Sequence, residues 1–372
     1  MTGAGMMRLN YGLIGSGMMG QEHIRNIALL KDAKVVAAYE PDADMQAETR
    51  KLVPDIGFAQ TLDDLIRDDR VNCLLIASPN HMHMAQVERI AEIRPLPLLV
   101  EKPLFTDVAD AARIKGLHSR YPAPIWVAME YRYMPPVAAF LDQLEDVTGG
   151  PIMLTIREHR FPFLEKVGDW NRFNRNSGGT FVEKCCHFFD LMRLALRSEP
   201  TRVSASIGQA VNHLEENYGG EVPDIDDHGY VIVDFDNGSR AMLELCMFAE
   251  GSKWQEEISA IGPLGKIEAK VPGPTRFWPD HLGAPPVPQL ILSPRQPAGE
   301  SITDIPVDPA LLAAGDHNGS TFYQHQRFAD VARAWHQGRN LMPDVTLTDG
   351  AKAVEMGMAA HQAARTGKVV SL

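Results

Sequence analysis

Short apolar runs alternate with amphipathic stretches along the first third of the chain. The apolar runs are the segments 8–14, 33–39, 71–78, 96–102 and 123–130. Each run has the length of a strand and is apolar on both faces, which is typical of parallel strands that helices cover on both sides. Strands that alternate with helices in this way indicate a doubly wound parallel sheet.

The pattern changes close to residue 131, which we take as a domain boundary. Helical spacing predicts helices at 134–147, 180–197, 320–337 and 348–366. Between the second and third of these lie several strands with alternating polar and apolar positions, and the Asp-Asn-Gly sequence at 236–238 predicts a hairpin turn. Residues 272–300 are rich in proline and glycine and are predicted as a long loop. Residues 132–372 therefore predict an α+β domain built on a large open, mainly antiparallel sheet.

The composition excludes several classes of protein. A chain of 372 residues is long enough for two domains, and its formal net charge of -12 repels the phosphates of nucleic acids. No apolar run approaches the roughly 18 residues that span a bilayer. No secretory leader is recognisable, so we expect a cytoplasmic protein without a membrane partner. The cysteines have neither disulfide-scaffold nor zinc-site spacing and are predicted to be reduced; they are Cys73, Cys185, Cys186 and Cys246.

A glycine-rich turn follows the first predicted strand and opens the first helix. Its residues are Gly15, Ser16, Gly17, Met18, Met19 and Gly20, in the pattern GxGxxG. In this context the pattern predicts a dinucleotide-binding Rossmann domain over residues 1–131. Gly15 allows the tight turn, Gly17 lets the backbone approach the pyrophosphate, and Gly20 allows close packing of helix on strand. The helix N-terminus favours the anion. The alternative is a glycine turn that holds no ligand.

Glu40 lies twenty residues past Gly20, at the end of the second predicted strand. An acidic side chain at this position accepts hydrogen bonds from the adenosine ribose hydroxyls and repels a 2′-phosphate. The sequence therefore predicts NAD as the cofactor and makes NADP the less favoured one.

Two further polar clusters follow predicted strands, at the edge where a doubly wound sheet binds its ligands. The first runs from Ser78 through Asn80 to His83, and its alternative interpretation is a helix start capped by Asn80. The second is Glu101 and Lys102, ahead of a proline. Near a nicotinamide cation, burial and like charge would lower the pKa of a lysine ammonium, which could then exchange protons with a substrate hydroxyl. The alternative is a surface lysine paired with glutamate.

A third cluster follows the pair Gly178-Gly179. Glu183 and His187 are spaced i, i+4 on a predicted helix and so share one face, with Asp190 three residues on. A carboxylate and an imidazole on one face are a plausible acid/base pair, whereas the alternative is a helix with one hydrogen-bonded core histidine. No metal site is predicted, because the consecutive Cys185, Cys186 and His187 point in different directions and lack a second ligand pair.

Together these motifs resemble the Gfo/Idh/MocA family, the glucose–fructose oxidoreductase and inositol dehydrogenase group. The resemblance covers nearly the whole chain and rests on GLIGSGMMG, SPNHMH, EKP, AMEYRYMPPV and GG-x3-E-x3-H-x2-D. It implies that Lys102 is the catalytic lysine and that His187 exchanges a proton with the substrate hydroxyl. It also places the cofactor beside Ser78, Asn80, His83, Glu101, Lys102 and Glu130. This chain departs from the family at Glu183, where Asp is usual, and at Glu130, where Asn or Gln is frequent.

A basic and aromatic segment precedes the Gly-Gly pair. It contains Arg157, His159, Arg160, Trp170, Arg172, Asn174 and Arg175. These side chains suit a polyhydroxylated ligand with an anionic group, and we take Arg157, His159, Trp170 and Arg172 as substrate-binding candidates beside Lys102, Glu183 and His187. The alternative interpretation is a solvated loop. Three weaker candidates lie near the C-terminal helices: His317, Tyr323 and His325.

The resemblance implies an NAD-dependent sugar or inositol-type dehydrogenase, which transfers a hydride from a carbinol carbon to the nicotinamide. Two alternatives remain open at this point. One is a redox-neutral, NAD-dependent glycoside hydrolase that acts by oxidation and elimination, and the other is a sugar sensor that retains the fold without catalysis. The open sheet of the second domain is a natural subunit interface, so a homodimer or homotetramer is expected.

Overall fold

The computed structural model describes residues 7–372, apart from the side chain of His118. The chain forms two compact units. The first comprises the described residues up to Met129, together with Lys166–Trp170 and Thr321–Ala351. The second comprises Glu130–Glu165, Asn171–Ser320 and Lys352–Leu372. The first break thus falls after residue 129, compared with the predicted boundary at 131.

The first unit contains a six-stranded parallel sheet. Its strands are β1 (Leu9–Ile14), β2 (Ala33–Tyr39), β3 (Gly57–Phe58), β4 (Cys73–Ile76), β5 (Leu98–Val100) and β6 (Ile125–Val127). The order β3-β2-β1-β4-β5-β6 is that of a doubly wound Rossmann sheet. Strands β4, β5 and β6 are buried throughout, as expected for a sheet that helices cover on both faces, and this confirms the predicted fold class of this half. Only the two-residue β3 was not predicted.

Helices of this half begin at the residues that the local sequence favours. They are α1 (Met18–Ala28), α2 (Ala43–Leu52), α3 (Leu62–Arg67), α4 (His83–Ile93) and α5 (Val108–Arg120). The Asp42 carboxylate accepts a hydrogen bond from the amide of Met45 and caps α2, and Thr61 and Asp64 form a capping box on α3. By contrast, α1 starts after Gly17, which provides no side-chain cap. The first turn of α1 therefore keeps its N–H groups for a ligand.

The second unit is built on a nine-stranded mixed sheet. Its strands are β7 (Met153–His159), β8 (Pro200–Gly208), β9 (His228–Phe235), β10 (Arg240–Cys246), β11 (Glu256–Ile261), β12 (Gly265–Val271), β13 (Gln289–Pro294), β14 (Ser301–Asp304) and β15 (Val370–Ser371). The order is β14-β13-β12-β11-β7-β10-β9-β8-β15, and only β7 and β10 pair in parallel. This arrangement confirms the predicted open, mainly antiparallel sheet.

The remaining helices are α6 (Pro135–Thr148), α7 (Asn174–Ser177), α8 (Thr180–Glu183), α9 (Cys186–Leu196), α10 (Pro309–Ala314), α11 (Ser320–His336) and α12 (Leu347–Thr366). Of these, α6 packs against β12 and β13. The predicted helices at 134–147, 320–337 and 348–366 are confirmed as α6, α11 and α12, to within a few residues. No helix in the described part of the chain has the length and apolarity that crossing a bilayer requires.

Two local predictions were wrong. The proline-rich segment 272–300 is not all loop, because Gln289–Pro294 adds to the sheet by pairing with β12. The predicted helix at 180–197 is two helices, α8 and α9. The amide of Cys185 donates to the carbonyl of Thr180 at 3.4 Å, five residues back, and this wide turn interrupts the regular helical ladder.

Candidate active site

The glycine turn after β1 is folded tightly against the loop that follows β4. Gly15 has φ +83°, and a Cβ there would lie 2.7 Å from the backbone of Ser78. A Cβ at Gly20 would lie 2.5 Å from the carbonyl oxygen of Gly15. Side chains at either position would therefore displace backbone atoms. The packing explains two of the three glycines without a ligand.

Gly17 has a different environment. A Cβ added there would meet no atom within 4 Å, and its φ of -66° suits any residue. Packing within the described structure therefore does not require glycine at this position. Because Gly17 stands at the uncapped N-terminus of α1, the space above it suits an anion that approaches the backbone. Met18 and Met19 begin the helix beside it, and Met18 is exposed.

Glu40 is fixed beside this turn. Its carboxylate accepts hydrogen bonds from the amide of Ser16 at 2.6 Å, from the Ser16 hydroxyl at 3.2 Å and from the amide of Asp42 at 2.9 Å. The side chain is 8% exposed. The buried carboxylate can accept from ribose hydroxyls, and the backbone N–H groups of the open glycine cradle can donate to a pyrophosphate, so the residues present fit a dinucleotide.

The loop after β4 is held by its own side chains. The Ser78 hydroxyl donates to Oε1 of Gln86 at 2.6 Å, and the ring nitrogens of His83 lie 2.8 Å from the carbonyl oxygen of Pro103 and 3.0 Å from that of Ser78. Burial lowers the pKa of His83, although both carbonyl groups oppose the shift. His83 thus ties this loop to the one after β5. Asn80 is buried in a 3-10 turn rather than capping α4.

Glu101 and Lys102 differ sharply in their surroundings. Glu101 is buried, its Oε1 lies 2.9 Å from Nε2 of His23, and its Oε2 accepts from the amide of Lys102 at 3.2 Å. Burial is the largest influence and opposes the charged carboxylate, but the hydrogen bond from His23 and the nearby positive charges together lower the pKa of Glu101. Nδ1 of His23 in turn lies 2.9 Å from Nε2 of the buried His325. Glu101 is therefore held in the interior by its hydrogen bonds, whereas Lys102 is partly exposed.

In the second unit, Glu183 ends α8 and His187 lies in the first turn of α9. Both side chains are buried, at 2% and 1% exposure. The ring of Tyr131 stacks on the ring of His187, with centroids 4.1 Å apart and planes 7° apart. The Asp190 carboxylate is bound by the Arg132 guanidinium through two contacts of 2.5 Å, which leaves it a structural role.

His317 joins this group from the chain that precedes α11. Its Nδ1 lies 3.6 Å from Oε1 of Glu130, and its ring lies 6.1 Å from that of Tyr131. Glu130 is 1% exposed. The second unit therefore brings together two histidines and one carboxylate around the ring of Tyr131, where proton exchange with a hydroxyl is chemically feasible.

The basic and aromatic segment is not gathered at this cluster. Arg157 and His159 lie on the face of β7 opposite to Glu158, because side chains alternate along a strand. There Arg157 pairs with Glu257, and Nε2 of His159 lies 2.8 Å from Glu244.

The other members of the segment are also bound by neighbouring side chains. The buried guanidinium of Arg172 donates to Glu216 at 2.8 Å, and Arg175 forms an exposed pair with Glu221. Trp170 belongs to the first unit, where its ring lies 6.5 Å from that of His81. Among the residues that the structure describes, no group of three or more His, Cys, Asp or Glu side chains could hold a metal ion.

A buried charge cluster that the sequence did not suggest lies next to Tyr131. Glu158 on β7 and Glu256 on β11 are direct neighbours across the sheet, and both are nearly inaccessible. Nζ of Lys184 lies 2.8 Å from Glu158 and also donates to the Tyr131 hydroxyl. Burial, with the adjacent Glu158 charge, raises the pKa of Glu256 to about 7.

This raised pKa predicts a pH-dependent stability. Because the folded state holds the Glu256 proton more tightly than the unfolded chain, its contribution is complete below about pH 4.5 and is lost as pH rises through about 7. The shift corresponds to at most about 3 kcal/mol. We expect the free energy of unfolding, measured by urea titration at several pH values, to fall over this window. Glu256→Gln should flatten the fall, and an unchanged slope in the variant would contradict the assignment.

Comparison with known proteins extends these observations. A sequence model described as an oxidoreductase family, NAD-binding Rossmann fold, matches residues 9–129. The model for the C-terminal alpha/beta domain of an oxidoreductase family matches residues 142–282. The two matches together cover more than half of the chain.

Individual proteins of known name are also similar. The rhizopine catabolism protein MocA of Rhizobium meliloti is 27% identical over 74% of this chain and 80% of its own length. Inositol 2-dehydrogenase of Rhizobium meliloti strain 1021 is 23% identical over 71% of this chain and 76% of its own. The crystal structure of myo-inositol dehydrogenase from Lactobacillus casei, in complex with NAD(H) and myo-inositol, superposes with a TM-score of 0.71 at 20% identity. It covers 98% of this chain and 97% of the other, and at this identity it shows the shared fold alone.

Proposed function

The chain belongs to the Gfo/Idh/MocA family of NAD-binding oxidoreductases, and from this we propose that it is an NAD-dependent dehydrogenase of a small polyol. The substrate class is a sugar, a sugar acid or a cyclitol such as inositol. The observation that carries the proposal is the open cradle at Gly17, uncapped at the N-terminus of α1 and flanked by the fixed carboxylate of Glu40. The names of the similar proteins support a polyhydroxylated substrate.

The proposed chemistry gives each candidate residue a separate role. NAD, held by the backbone at Gly17 and by Glu40, would supply the hydride acceptor for the carbinol carbon when bound. His187 takes the hydroxyl proton, because an imidazole ring nitrogen without a hydrogen can accept one. Glu183, buried in the same segment, binds a neighbouring hydroxyl of the substrate. Lys102 holds the reacting oxygen with its ammonium group.

We restrict the proposed substrate contacts to Lys102, Glu183 and His187, with His317 as an addition. Arg157 and His159 are left out, since they lie on the face of β7 opposite to Glu158. That face exposes Met153, Tyr230 and Ile232, and we propose that it joins copies of the chain in a homodimer or homotetramer. Light scattering of the purified protein tests this assembly, and a monomer at all concentrations would refute it.

A screen of NAD reduction against inositols, aldoses, uronic acids and sulfonated sugars tests the reaction. We expect NADH to accumulate with at least one polyol. Cleavage of aryl glycosides without net NADH would instead support the redox-neutral glycosidase. Tight polyol binding with neither reaction would support the sensor.

Glu40 should set the preference between the two dinucleotides. We expect Glu40→Gln to weaken NAD about tenfold, the value of one charge-assisted hydrogen bond, and to strengthen NADP by removing its repulsion from the 2′-phosphate. Isothermal titration calorimetry measures both. Asp42→Asn is the matched control, because it removes a nearby carboxylate while keeping a good helix cap. An unchanged NAD to NADP ratio in Glu40→Gln would count against the assignment.

A further inference from the structure

We propose that Lys184, Tyr131 and Glu158 form a positioning relay, in which the buried Lys184–Glu158 ion pair anchors Tyr131 and Tyr131 fixes the ring of His187. The inference rests on the proposed function in one respect only, the use of His187 as the base. No motif of the sequence pointed to these residues as a group. They come from three separate segments: the 3-10 turn of Glu130–Tyr133, the strand β7 and the break between α8 and α9.

The first observation is the stacking geometry. The rings of Tyr131 and His187 are almost parallel, with planes 7° apart and centroids 4.1 Å apart. Both side chains are almost completely buried, at 3% and 1% exposure. A stacked partner at this distance leaves the imidazole little freedom to turn about its χ2 torsion. The direction of the ring nitrogens is therefore set by where the tyrosine ring is held.

The second observation shows what holds the tyrosine. Nζ of Lys184 donates to the hydroxyl of Tyr131 and lies 4.5 Å from the centre of its ring. Burial raises the pKa of the Tyr131 hydroxyl well above its usual value, so the phenol stays neutral and accepts from the ammonium. The ring is thus fixed at its hydroxyl end by a lysine and at its face by the histidine.

The third observation is that Lys184 is a buried charge, which costs free energy of desolvation. Its side chain is only 5% exposed, and its partner Glu158 is fully buried, 2.8 Å away. Burial lowers the pKa of the Lys184 ammonium, and the carboxylate of Glu158 opposes that shift. A buried ion pair contributes little net stability compared with apolar side chains of the same volume. The presence of this ion pair three residues before His187 is better explained by orientation than by stability.

The position of Lys184 strengthens this link. It follows Glu183 directly and stands at the break between α8 and α9, where the backbone leaves the regular helical pattern. The carboxylate of one proposed substrate contact, the anchoring lysine and the base therefore lie within a single turn of chain. A proton acceptor has to be held within about 10–20° of its productive direction, and a misplacement of about 1 Å can cost a hundredfold in rate.

Two variants cut the relay at different points. Tyr131→Phe keeps the stacked ring but removes the hydroxyl that Lys184 binds, and Lys184→Met keeps the length of the side chain without its charge. Because Lys184→Met leaves the buried Glu158 with only the 3.7 Å contact of Arg160, the pair Glu158→Gln with Lys184→Met serves as the variant that keeps the fold. Lys270→Met is the matched control, since Lys270 pairs with Glu257 and Glu268 on the same sheet.

The first readout needs no substrate. In protein labelled at the histidine rings, the His187 resonances are assigned by their loss in His187→Asn. We expect them to move in Tyr131→Phe and in the Glu158→Gln/Lys184→Met pair, because the ring current of the stacked tyrosine changes. Lys270→Met should leave them in place. Unmoved His187 resonances in both relay variants would overturn the proposal, whether or not a polyol is ever oxidised.

The second readout uses the polyol that the NAD screen identifies. We expect each relay variant to lower kcat by about 10- to 100-fold with unchanged affinity for NAD. Combining Tyr131→Phe with Glu158→Gln/Lys184→Met should lower kcat little further, because both variants remove the same contact between Lys184 and Tyr131. In a His187→Ala background the relay variants should have no further effect. Equal losses with and without His187 would indicate a purely structural role and overturn the relay.

Discussion

Replacing His187 with asparagine should lower kcat for polyol oxidation by about a thousandfold, within the 10²- to 10⁴-fold range of general acid–base catalysis. The asparagine places an amide nitrogen close to the position that the imidazole ring occupied, but this nitrogen cannot take a proton. Because the proposed pyrophosphate cradle is formed by the turn at Gly17 and does not use the His187 side chain, the affinity for NAD should not change. Steady-state kinetics with the polyol from the screen, together with calorimetry for NAD, measure the two effects.

A matched histidine controls for the loss of an imidazole anywhere in the chain. His336, at the end of α11, bonds through Nε2 to the carbonyl oxygen of Asn72 at 2.8 Å and has no part in the proposed site. His336→Asn should keep nearly the full kcat. The assignment of His187 as the base would be withdrawn if His187→Asn kept more than about a tenth of the wild-type kcat.

Lys102→Met tests the proposed chemistry at a second residue. It should lower kcat with a smaller effect on binding of the dinucleotide, because Glu101 remains bound to His23 and holds the loop in place. If the lysine were only a surface charge, as its sequence alone allowed, kcat would be unchanged. Full activity of Lys102→Met would favour that alternative.

Features set by neighbours in sequence could be predicted. The strands β1, β2, β4, β5 and β6 follow from apolar runs, the glycine turn from its GxGxxG pattern, and the helix starts from residues such as Asp42. The second sheet follows from alternating positions. These patterns have a period of two or 3.6 residues and act over one element at a time.

Features that depend on which face a side chain takes were not predicted. Arg157 and His159 looked like substrate contacts because they are basic and close in sequence to the Gly-Gly pair. Strand alternation instead turns them away from Glu158, and carboxylates of neighbouring strands bind them. The polar residue Glu158 sits at a buried position of the alternation in β7, which is the one signal that could have drawn attention to it.

The helix break at Lys184 and the contact of that residue with Tyr131 could not be predicted from the sequence either. They join positions 53 residues apart, and nothing local fixes such a pairing. The same holds for the 3.6 Å approach of His317 to Glu130. The sequence thus indicates which chemical groups are present, whereas their grouping around Tyr131 is a property of the folded second unit.

Gly17→Ala should lower the affinity for NAD about a hundredfold while leaving the protein folded. The added methyl group meets no protein atom within 4 Å and the φ of -66° is open to alanine, so the free energy of unfolding should change by no more than about 1 kcal/mol. The methyl group would instead occupy the space that a pyrophosphate needs. Losing two charge-assisted hydrogen bonds costs about 3 kcal/mol, which is a hundredfold in affinity.

Gly20→Ala is the control that separates binding from folding. Its Cβ would lie 2.5 Å from the carbonyl oxygen of Gly15, so it forces apart the backbone of the turn and should cost about 1–3 kcal/mol of stability. Calorimetry with NAD and urea unfolding therefore distinguish the variants: Gly17→Ala should lose affinity at nearly unchanged stability, whereas Gly20→Ala should lose stability. If Gly17→Ala bound NAD as tightly as the wild type, the open space above Gly17 would not be the pyrophosphate site, and the proposed dehydrogenase would lose its main support.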